Sequence, residues 1–266
     1  MRKSSDRILG NVRLVLAIAA LALWTLALAP FQWLFLRISP QAARVLPHLY
    51  HCGVARIMGM RIRVEGRMES ARPLLVVANH ISWADIVVLS AVAPVSFIAK
   101  SEMITWPLFG WLARAQRTVF VNRADRRRAA EQADHISRRL EAGDAMVLFP
   151  EGTTSDGTRV LPFNASLFAA AANVVRRGHA EAVLVQPVAI TYRRLQGVSL
   201  GRIGMRRVGW PGAVPLMPHL PDTIRESALD VIVSFAPAVR FDAATNRKAV
   251  SAAARDAIRD MRARAL

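Results

Sequence analysis

Residues 74–92 carry the sequence LLVVANHISWADIVVLSAV, which joins a short apolar run to a longer helical one. The first part, Leu74–Ala78, is wholly apolar and contains two adjacent valines, a composition typical of a strand that is buried on both faces. The last part, Ala84–Val92, predicts a helix. A strand that leads directly into a helix is the unit from which layered α/β folds are built.

The same alternation of strands and helices continues along the chain. An alternating polar and apolar run at 61–65 predicts a strand with one solvated face. Further, mostly buried strands are expected at 95–99, 118–121, 145–149, 183–190 and 231–235. Further helices are expected at 102–115, 125–141, 166–177 and 246–266. The predicted fold class is therefore α/β, with a layered, largely parallel central sheet flanked by helices.

The last predicted helix is amphipathic. One face would carry Val250, Ala253, Ala257 and Met261, and another Arg255, Arg259 and Arg262. No repeat or linker divides residues 41–266, which are predicted to form one domain.

The N-terminus predicts a membrane anchor. No ionisable residue occurs from Leu14 to Leu36, and about 20 apolar residues suffice to span a hydrocarbon core. Because Pro30 lies within this run, the segment either spans the bilayer or breaks into two helices that enter and return. Both flanks are basic, so the positive-inside rule does not assign an orientation. Residues 1–40 are therefore predicted to form a spanning or re-entrant anchor.

Charge and cysteine content restrict the partners. Lys and Arg number 36 against 19 Asp and Glu, and the net charge of +17 attracts polyanions such as nucleic acid or an anionic membrane surface. No nucleic-acid-binding motif is present, and the apolar N-terminus favours the membrane. The single cysteine, Cys52, excludes an internal disulfide, and no Cys/His cluster has zinc spacing. We therefore expect a membrane partner, no nucleic acid and no metal.

His80 has the setting of a functional histidine, because it follows the buried strand Leu74–Ala78. Ligand sites in open α/β sheets lie beyond the carboxyl ends of strands. With His80 in the strand-to-helix turn and Asp85 in the next helix, the two side chains can meet. Asp85 would then select the imidazole tautomer and stabilise the imidazolium that forms when His80 accepts a proton.

Two more polar segments follow predicted strands. Glu151 and Gly152 come after the run 145–149 and place a charge and a flexible turn at that strand's end. Arg123 comes after the strand 118–121, where a guanidinium suits a phosphate. Taken alone, each segment is equally consistent with a surface turn or a solvated charge.

Taken together, these segments resemble the glycerolipid acyltransferase family, of the 1-acylglycerol-3-phosphate (lysophosphatidic acid) acyltransferase type, over roughly residues 74–191. Its four motifs are similar to Asn79-His80-x-Ser82-x-x-Asp85, the segment 117–123, Phe149-Pro150-Glu151-Gly152-Thr153 and Val185-Gln186-Pro187-Val188. In the second motif Phe120 and Arg123 match. Arg117 stands where the family usually has glycine, a departure that bears on the acceptor head group.

The resemblance implies transfer of a fatty acyl group from acyl-CoA or acyl carrier protein to the free hydroxyl of 1-acylglycerol-3-phosphate, giving phosphatidic acid for phospholipid biosynthesis. It implies that His80 is the general base, that Asp85 orients it, and that no acyl-enzyme forms. Asn79, or backbone N–H groups near Gly152, would stabilise the oxyanion. The implied substrate-binding residues are Lys100, Arg123, Glu151, Gly152 and Thr153. Because the donor is itself a substrate, no cofactor is expected.

Several alternatives stay open at this point. An acyltransferase with the same mechanism would use lyso-ornithine lipid, which lacks the phosphate, as acceptor. A membrane hydrolase with the same His80–Asp85 pair would release free fatty acid, and a non-catalytic membrane-anchored lipid-binding module would need no base. Ser82 is disfavoured as a nucleophile because the G-x-S-x-G elbow is absent around it. The resemblance also implies a location at the cell inner membrane with the catalytic domain facing the cytoplasm; the oligomeric state is not predicted.

Overall fold

The computed structural model describes residues 2–122, 129–178, 180–212 and 214–266. The helices are α1 (Arg2–Ile38), α2 (Pro40–Ile57), α3 (Ala84–Val92), α4 (Phe109–Ala115), α5 (Ala129–Glu141), α6 (Ala169–Arg176), α7 (Gly201–Met205), α8 (Leu216–Arg225) and α9 (Arg247–Ala265). The strands are β1 (Met60–Glu65), β2 (Leu74–Ala78), β3 (Ser96–Lys100), β4 (Val119–Val121), β5 (Ala145–Leu148), β6 (Val183–Leu195), β7 (Val198–Ser199), β8 (Leu229–Phe235) and β9 (Val239–Phe241). Short 3-10 helices occupy Ser101–Thr105 and Ala165–Phe168.

The described strands form one sheet, in the order β1-β8-β6-β2-β5-β3-β4, with β7 and β9 also paired to β6. Every neighbouring pair from β6 through β2, β5 and β3 to β4 is parallel. On the other side, β8 runs antiparallel to β6 and parallel to β1. The largely parallel α/β sheet predicted from the sequence is therefore confirmed.

Helices cover both faces of this sheet. Successive residues of a strand point to opposite faces, and along β2 Leu74 and Val76 lie in one hydrophobic core while Leu75 and Val77 lie in the other. The first core includes residues of α2 and α3, and the second includes residues of α5, α6 and α9. This three-layer arrangement leaves the ends of the strands as the accessible edges of the sheet.

The N-terminal helix continues through Pro30 and ends at Ile38. The chain reverses at Ser39, whose side chain accepts the N–H of Ala42, and Pro40 is the first residue of α2. A serine N-cap followed by proline at the first helical position is a strong helix-start signal. The break that Pro30 suggested therefore occurs at Ser39 instead.

Helix α1 packs against α2 along one side, where Trp24 Nε1 donates to the carbonyl of Tyr50 at 2.9 Å. Its other side is exposed and apolar, and includes Leu16 and Leu26. By length and composition, Ile8–Ile38 is long and apolar enough to cross a membrane, and 6% of its most apolar window is buried. The exposed apolar side of α1 is therefore available for contact with a membrane.

Some predicted helices are shorter or broken. The predicted helix 102–115 is a 3-10 turn followed by α4, separated by Pro107 and by Leu108, whose φ is +63°. Proline disfavours helical backbone at the preceding residue, which explains the break. The predicted helix 166–177 likewise begins as a 3-10 turn, and residues 125–128 of the predicted helix 125–141 lie outside the described part of the chain.

The face of α9 that packs on the sheet differs from the predicted one. Its buried residues include Val250, Ala254, Ile258, Met261, Arg262 and Ala265. Ala253 is exposed, because the buried stripe advances by four residues from Val250 to Ala254 and by four more to Ile258 before a step of three to Met261. Arg262 lies on the same stripe and is 5% exposed, so it belongs to the buried side of the helix and not to a separate face with Arg259.

Candidate active site

The sequence-predicted site residues gather at the carboxyl edge of the parallel sheet. His80 follows β2, Glu151 follows β5, and Lys100 is the last residue of β3. Because these strands are parallel, their carboxyl ends lie at one edge, the usual position of a ligand site in such sheets. Arg123 follows β4 in the sequence and lies outside the described residues, so its binding role stays a prediction.

His80 and Asp85 are in direct contact. His80 Nδ1 lies 2.8 Å from Asp85 Oδ2, with His80 in the strand-to-helix turn and Asp85 in the first turn of α3. The same oxygen accepts the backbone N–H groups of Ile81 at 2.6 Å and Ser82 at 2.9 Å. The Asp85 side chain is fully buried, whereas the His80 side chain is 18% exposed. The carboxylate holds a proton on Nδ1 and leaves Nε2 as the basic nitrogen.

Tyr192 completes the hydrogen bonding of Asp85. Its hydroxyl donates to Asp85 Oδ1 at 2.7 Å, and its ring is fully buried. Burial, and then the negative charge of Asp85, raise the pKa of Tyr192 well above its ordinary value, so the hydroxyl remains a donor. No motif or spacing in the sequence indicates this residue. The pairing of β6 beside β2 brings it to Asp85.

The imidazole of His80 is held on its face as well as its edge. Phe149 stacks on it with ring centroids 4.0 Å apart and 13° between the planes. Phe149 is itself buried, so the orientation of the imidazole is set without a ligand. The hydroxyl of Ser82 is buried and has no hydrogen-bond partner among the described residues, which does not support an activated serine nucleophile.

Glu151 connects two segments of the site. Its Oε1 accepts the backbone N–H of His80 at 2.8 Å, and its Oε2 accepts that of Leu161 at 3.0 Å. Gly152 follows with φ +76°, the left-handed region that favours glycine, and so allows the chain to turn. Burial raises the pKa of Glu151 to about 7, while the two backbone N–H groups and the charge of Arg262 oppose the rise.

Asn79 links β2 to β6. Its Nδ2 donates to the carbonyl of Ile190 at 3.0 Å, and its Oδ1 accepts the N–H of Ile190 at 2.8 Å. The N–H of Gly152 donates to the carbonyl of Phe149 at 3.1 Å. The side chain of Asn79 and the N–H of Gly152 itself therefore already have partners within the protein.

Lys100 and Thr153 are exposed at the same edge as His80. Lys100 is in register with Val121, the last residue of β4, so it lies beside the strand that precedes Arg123 in the sequence. Among the described residues no group of three or more His, Cys, Asp or Glu side chains is arranged to hold a metal ion.

Arg117 lies at the opposite edge of the sheet from His80. Its guanidinium lies 3.2 Å from Asp144, which precedes β5, and Arg44 and Arg139 pair with the same carboxylate. The φ of Arg117 is +63°, a backbone conformation that favours glycine. The departure from the family pattern at this position thus lies at the amino edge of the sheet, and its bearing on the acceptor head group stays a prediction.

A second residue that the sequence analysis missed is Arg262. It reaches from α9 into the loop after Glu151, where its Nη2 donates to the carbonyl of Gly157 at 2.5 Å. Burial lowers the pKa of Arg262, and the carboxylates of Glu151 and Asp85 oppose that change. The sequence pattern grouped Arg262 with Arg255 and Arg259 on one helix face, and only the position of α9 shows its contact with the site.

Known proteins with similar sequences share this site region. A family described as Acyltransferase matches residues 61–191, which include His80, Asp85 and Glu151. A lyso-ornithine lipid O-acyltransferase of Brucella abortus is 52% identical over 243 residues, covering 91% of each chain. A 1-acyl-sn-glycerol-3-phosphate acyltransferase of Neisseria gonorrhoeae is 38% identical over 143 residues, covering 54% of this chain and 53% of the relative.

The fold also has a counterpart among solved structures. The crystal structure of PlsC, the 1-acyl-sn-glycerophosphate (LPA) acyltransferase from Thermotoga maritima, matches with a TM-score of 0.68 and covers 98% of this chain and 96% of that one. At 20% identity this likeness concerns the fold. The family match over residues 61–191, together with the identity and coverage of the Brucella relative, shows that the chain belongs to the acyltransferase family.

Proposed function

We propose that the chain is a membrane-bound lyso-ornithine lipid O-acyltransferase. Acyl transfer follows from membership of the family; the acceptor is the proposal. The observation that carries it is the 52% identity over 91% of both chains with the Brucella lyso-ornithine lipid enzyme. The Neisseria enzyme, named for the glycerol phosphate acceptor, is 38% identical over about half of each chain. The relatives therefore favour the alternative acceptor over lysophosphatidic acid, which stays the second candidate.

The geometry supports general-base catalysis by His80. Its Nε2 takes the proton of the acceptor hydroxyl as that oxygen attacks the thioester carbonyl carbon of acyl-CoA or acyl carrier protein. Asp85 retains the proton on Nδ1 and stabilises the positive charge that develops on the ring. When the tetrahedral intermediate collapses, the C–S bond breaks and His80 returns the proton to the thiolate. The products are the acyl ester and a free thiol, with no acyl-enzyme.

The other predicted residues divide into binding and positioning groups. Lys100 and Arg123 would bind an anionic group of the acceptor or donor, and Gly152 and Thr153 would contact substrate from the loop. Glu151 would act through the backbone of His80, since both its oxygens accept backbone N–H groups. Because its amide is bound to β6, Asn79 is proposed to fix the end of β2 rather than to stabilise the oxyanion.

We place the enzyme at the inner membrane with its catalytic domain, residues 41–266, facing the cytoplasm and residues 1–40 as the anchor. The long apolar helix Ile8–Ile38 supports attachment. The net charge of +17 supports contact with an anionic leaflet, since each basic residue near such a surface contributes about 1 kcal/mol.

A product assay tests this function. Detergent-solubilised protein receives a labelled acyl thioester, on CoA or on carrier protein, with either lyso-ornithine lipid or lysophosphatidic acid, and the lipid products are resolved. We expect ornithine lipid from the wild type and from His135→Ala, a control at an exposed position on α5, and none from His80→Ala.

Other outcomes of the same assay are equally decisive. Phosphatidic acid in place of ornithine lipid would preserve the mechanism and overturn the acceptor. Free fatty acid formed without an acceptor would indicate a hydrolase. No diacyl product from either acceptor with either donor would overturn the proposal in favour of a lipid-binding module.

A further inference from the structure

We infer that Arg262, on the C-terminal helix α9, is a positioning residue of the active site: it anchors the loop 151–161 and supplies a positive charge that attracts Glu151, so that this loop holds His80 in place. The kinetic part of this inference rests on the proposed acyl transfer, whereas its structural part does not.

The loop 151–161 is fixed between Arg262 and the residue next to the general base. Arg262 Nη2 donates to the carbonyl of Gly157 at 2.5 Å. Gly157 has φ +75°, and a Cβ at this position would lie 2.8 Å from the side chain of Met205 and 3.0 Å from that of Ile81. The loop therefore packs closely against Ile81, the residue after His80, with Arg262 bonded to it.

Both backbone polar groups of His80 bind this loop. The N–H of His80 donates to Glu151 Oε1 at 2.8 Å, and the carbonyl of His80 accepts the N–H of Ser155 at 2.8 Å. The second oxygen of Glu151 accepts the N–H of Leu161 and so closes the loop on itself. A shift of the loop therefore displaces the backbone that carries the general base.

Arg262 also supplies the cation that favours the charged form of Glu151. Within the described part of the chain, the charged groups that act on Glu151 are Asp85, which disfavours its ionisation, and Arg262, which favours it. Arg262 in turn faces Glu151, Asp85 and Asp156. A protonated Glu151 carries a hydrogen on one oxygen and accepts less well from His80 or Leu161. Loss of the Arg262 charge would thus weaken the hydrogen bond between Glu151 and the backbone N–H of His80.

Packing alone does not account for an arginine at this position. Arg262 is 5% exposed, and its Nε is buried without a hydrogen-bond partner among the described residues. An apolar side chain of similar length would fill the space without the cost of burying a charge. The interactions that offset this cost are the bond to Gly157 and the attraction to the nearby carboxylates.

The test compares Arg262→Gln, which keeps a donor and removes the charge, with Arg262→Lys, which keeps the charge. Arg259→Gln is the matched control, because Arg259 is exposed on the same helix. With the acceptor that the wild type uses, kcat and KM are measured between about pH 5.5 and 9. For Arg262→Gln we expect kcat to fall about tenfold at pH 7 with KM within twofold. We also expect the acid limb of its kcat–pH profile to move to higher pH.

Arg262→Lys and Arg259→Gln show whether the change in Arg262→Gln comes from the loss of charge at this position. Arg262→Lys should restore the acid limb of the wild-type kcat–pH profile, and Arg259→Gln should match the wild type in kcat and KM at every pH. A wild-type kcat and pH profile in Arg262→Gln, or a Lys variant with the profile of the Gln variant, would overturn the inference. Where Arg262→Gln does not fold, Arg262→Met decides: it keeps a side chain of similar length and removes both the donor to Gly157 and the charge, so a wild-type kcat and pH profile in this variant overturns the inference.

A readout without substrate separates this inference from the proposed function. Removing the Arg262 charge raises the pKa of Glu151 in the folded state further, so stability should decline more steeply as pH rises from about 5 to 8. We therefore expect the Tm of Arg262→Gln to fall relative to the wild type across this range in detergent. Parallel Tm curves would contradict the inference even where no acyl transfer is detected with any acceptor.

Discussion

Asp85 is the residue on which the geometry of the general base depends. Its two carboxylate oxygens accept hydrogen bonds from His80, Ile81, Ser82 and Tyr192. A fully buried carboxylate is stable as an anion only when its oxygens are satisfied in this way. The anion is the form that holds the Nδ1 proton and stabilises an imidazolium.

Replacing Tyr192 by phenylalanine tests this arrangement. Tyr192→Phe keeps the buried ring and removes the donor to Asp85 Oδ1, and a hydrogen bond to a charged group contributes about 1.5–3 kcal/mol. We expect kcat to fall roughly 10- to 100-fold with KM nearly unchanged, because the hydroxyl contacts Asp85 rather than substrate. Tyr50→Phe, between α1 and α2, is the control. A wild-type kcat in Tyr192→Phe would show that the second oxygen of Asp85 needs no partner.

The raised pKa of Glu151 predicts a particular pH dependence of stability. Its pKa of about 7 in the folded protein lies above the ordinary value, so between about pH 4.5 and 7 the folded state binds more protons than the unfolded state. Stability from this group is present at low pH and is lost as pH rises through that window, by at most about 3 kcal/mol. Glu151→Gln removes the titration, so its Tm relative to the wild type should rise between pH 5 and 8. A constant Tm difference would contradict the raised pKa.

At the scale of elements, the sequence predicts the strands better than the helices. Each predicted strand is present, since a short apolar run is itself the local signal of a buried strand. Strand β6 continues past residue 190 because it pairs with β8 as far as Leu195. Helix α2 was not predicted: Pro47 and Gly53 interrupt its pattern, and its packing on α1 and α3 outweighs both. The short elements β7, β9 and α7 have too few residues to show a period.

At the amino edge of the sheet, one buried carboxylate connects three elements through a cluster of arginines. Asp144 is buried and pairs with Arg44, Arg117 and Arg139, which come from α2, the α4–β4 turn and α5. Asp144→Asn leaves all three cations without their carboxylate, and we expect it to lower the free energy of unfolding by about 3–5 kcal/mol.

Arg117→Gly is the matched comparison at the same cluster. It removes one of the three cations but relieves a left-handed backbone that costs an ordinary residue about 1–2 kcal/mol, so we expect stability within about 1 kcal/mol of the wild type. Since Arg117 lies at the opposite edge from His80, the ratio of activity on lyso-ornithine lipid and lysophosphatidic acid should stay unchanged. A changed ratio of these two activities in Arg117→Gly would show that the amino edge of the sheet does influence acceptor specificity.

At the scale of the whole molecule, the chain combines an apolar N-terminal helix, α1, with a net charge of +17. Leu16 and Leu26 are 65% and 70% exposed, which places two large apolar side chains on the outer face of α1. An acidic residue at the centre of a membrane-inserted helix costs about 3 kcal/mol. We expect Leu16→Asp/Leu26→Asp to shift the protein from the membrane fraction to the soluble one, and Leu16→Ala/Leu26→Ala to leave it there. An unchanged membrane fraction in the acidic variant would exclude this face as the attachment surface.

The sequence by itself determined the α/β class, the apolar N-terminal helix and the motif residues at the ends of β2 and β5, because strand periodicity, apolar length and short motifs are local properties of a chain. The tertiary structure decided which residues support His80. Tyr192 and Arg262 lie far along the chain from Asp85 and Glu151, and strand order and the packing of α9 bring them together. The placement of Arg117 away from the site was decided in the same way. Contacts over such separations depend on how the elements are arranged in space, which neither spacing nor periodicity encodes.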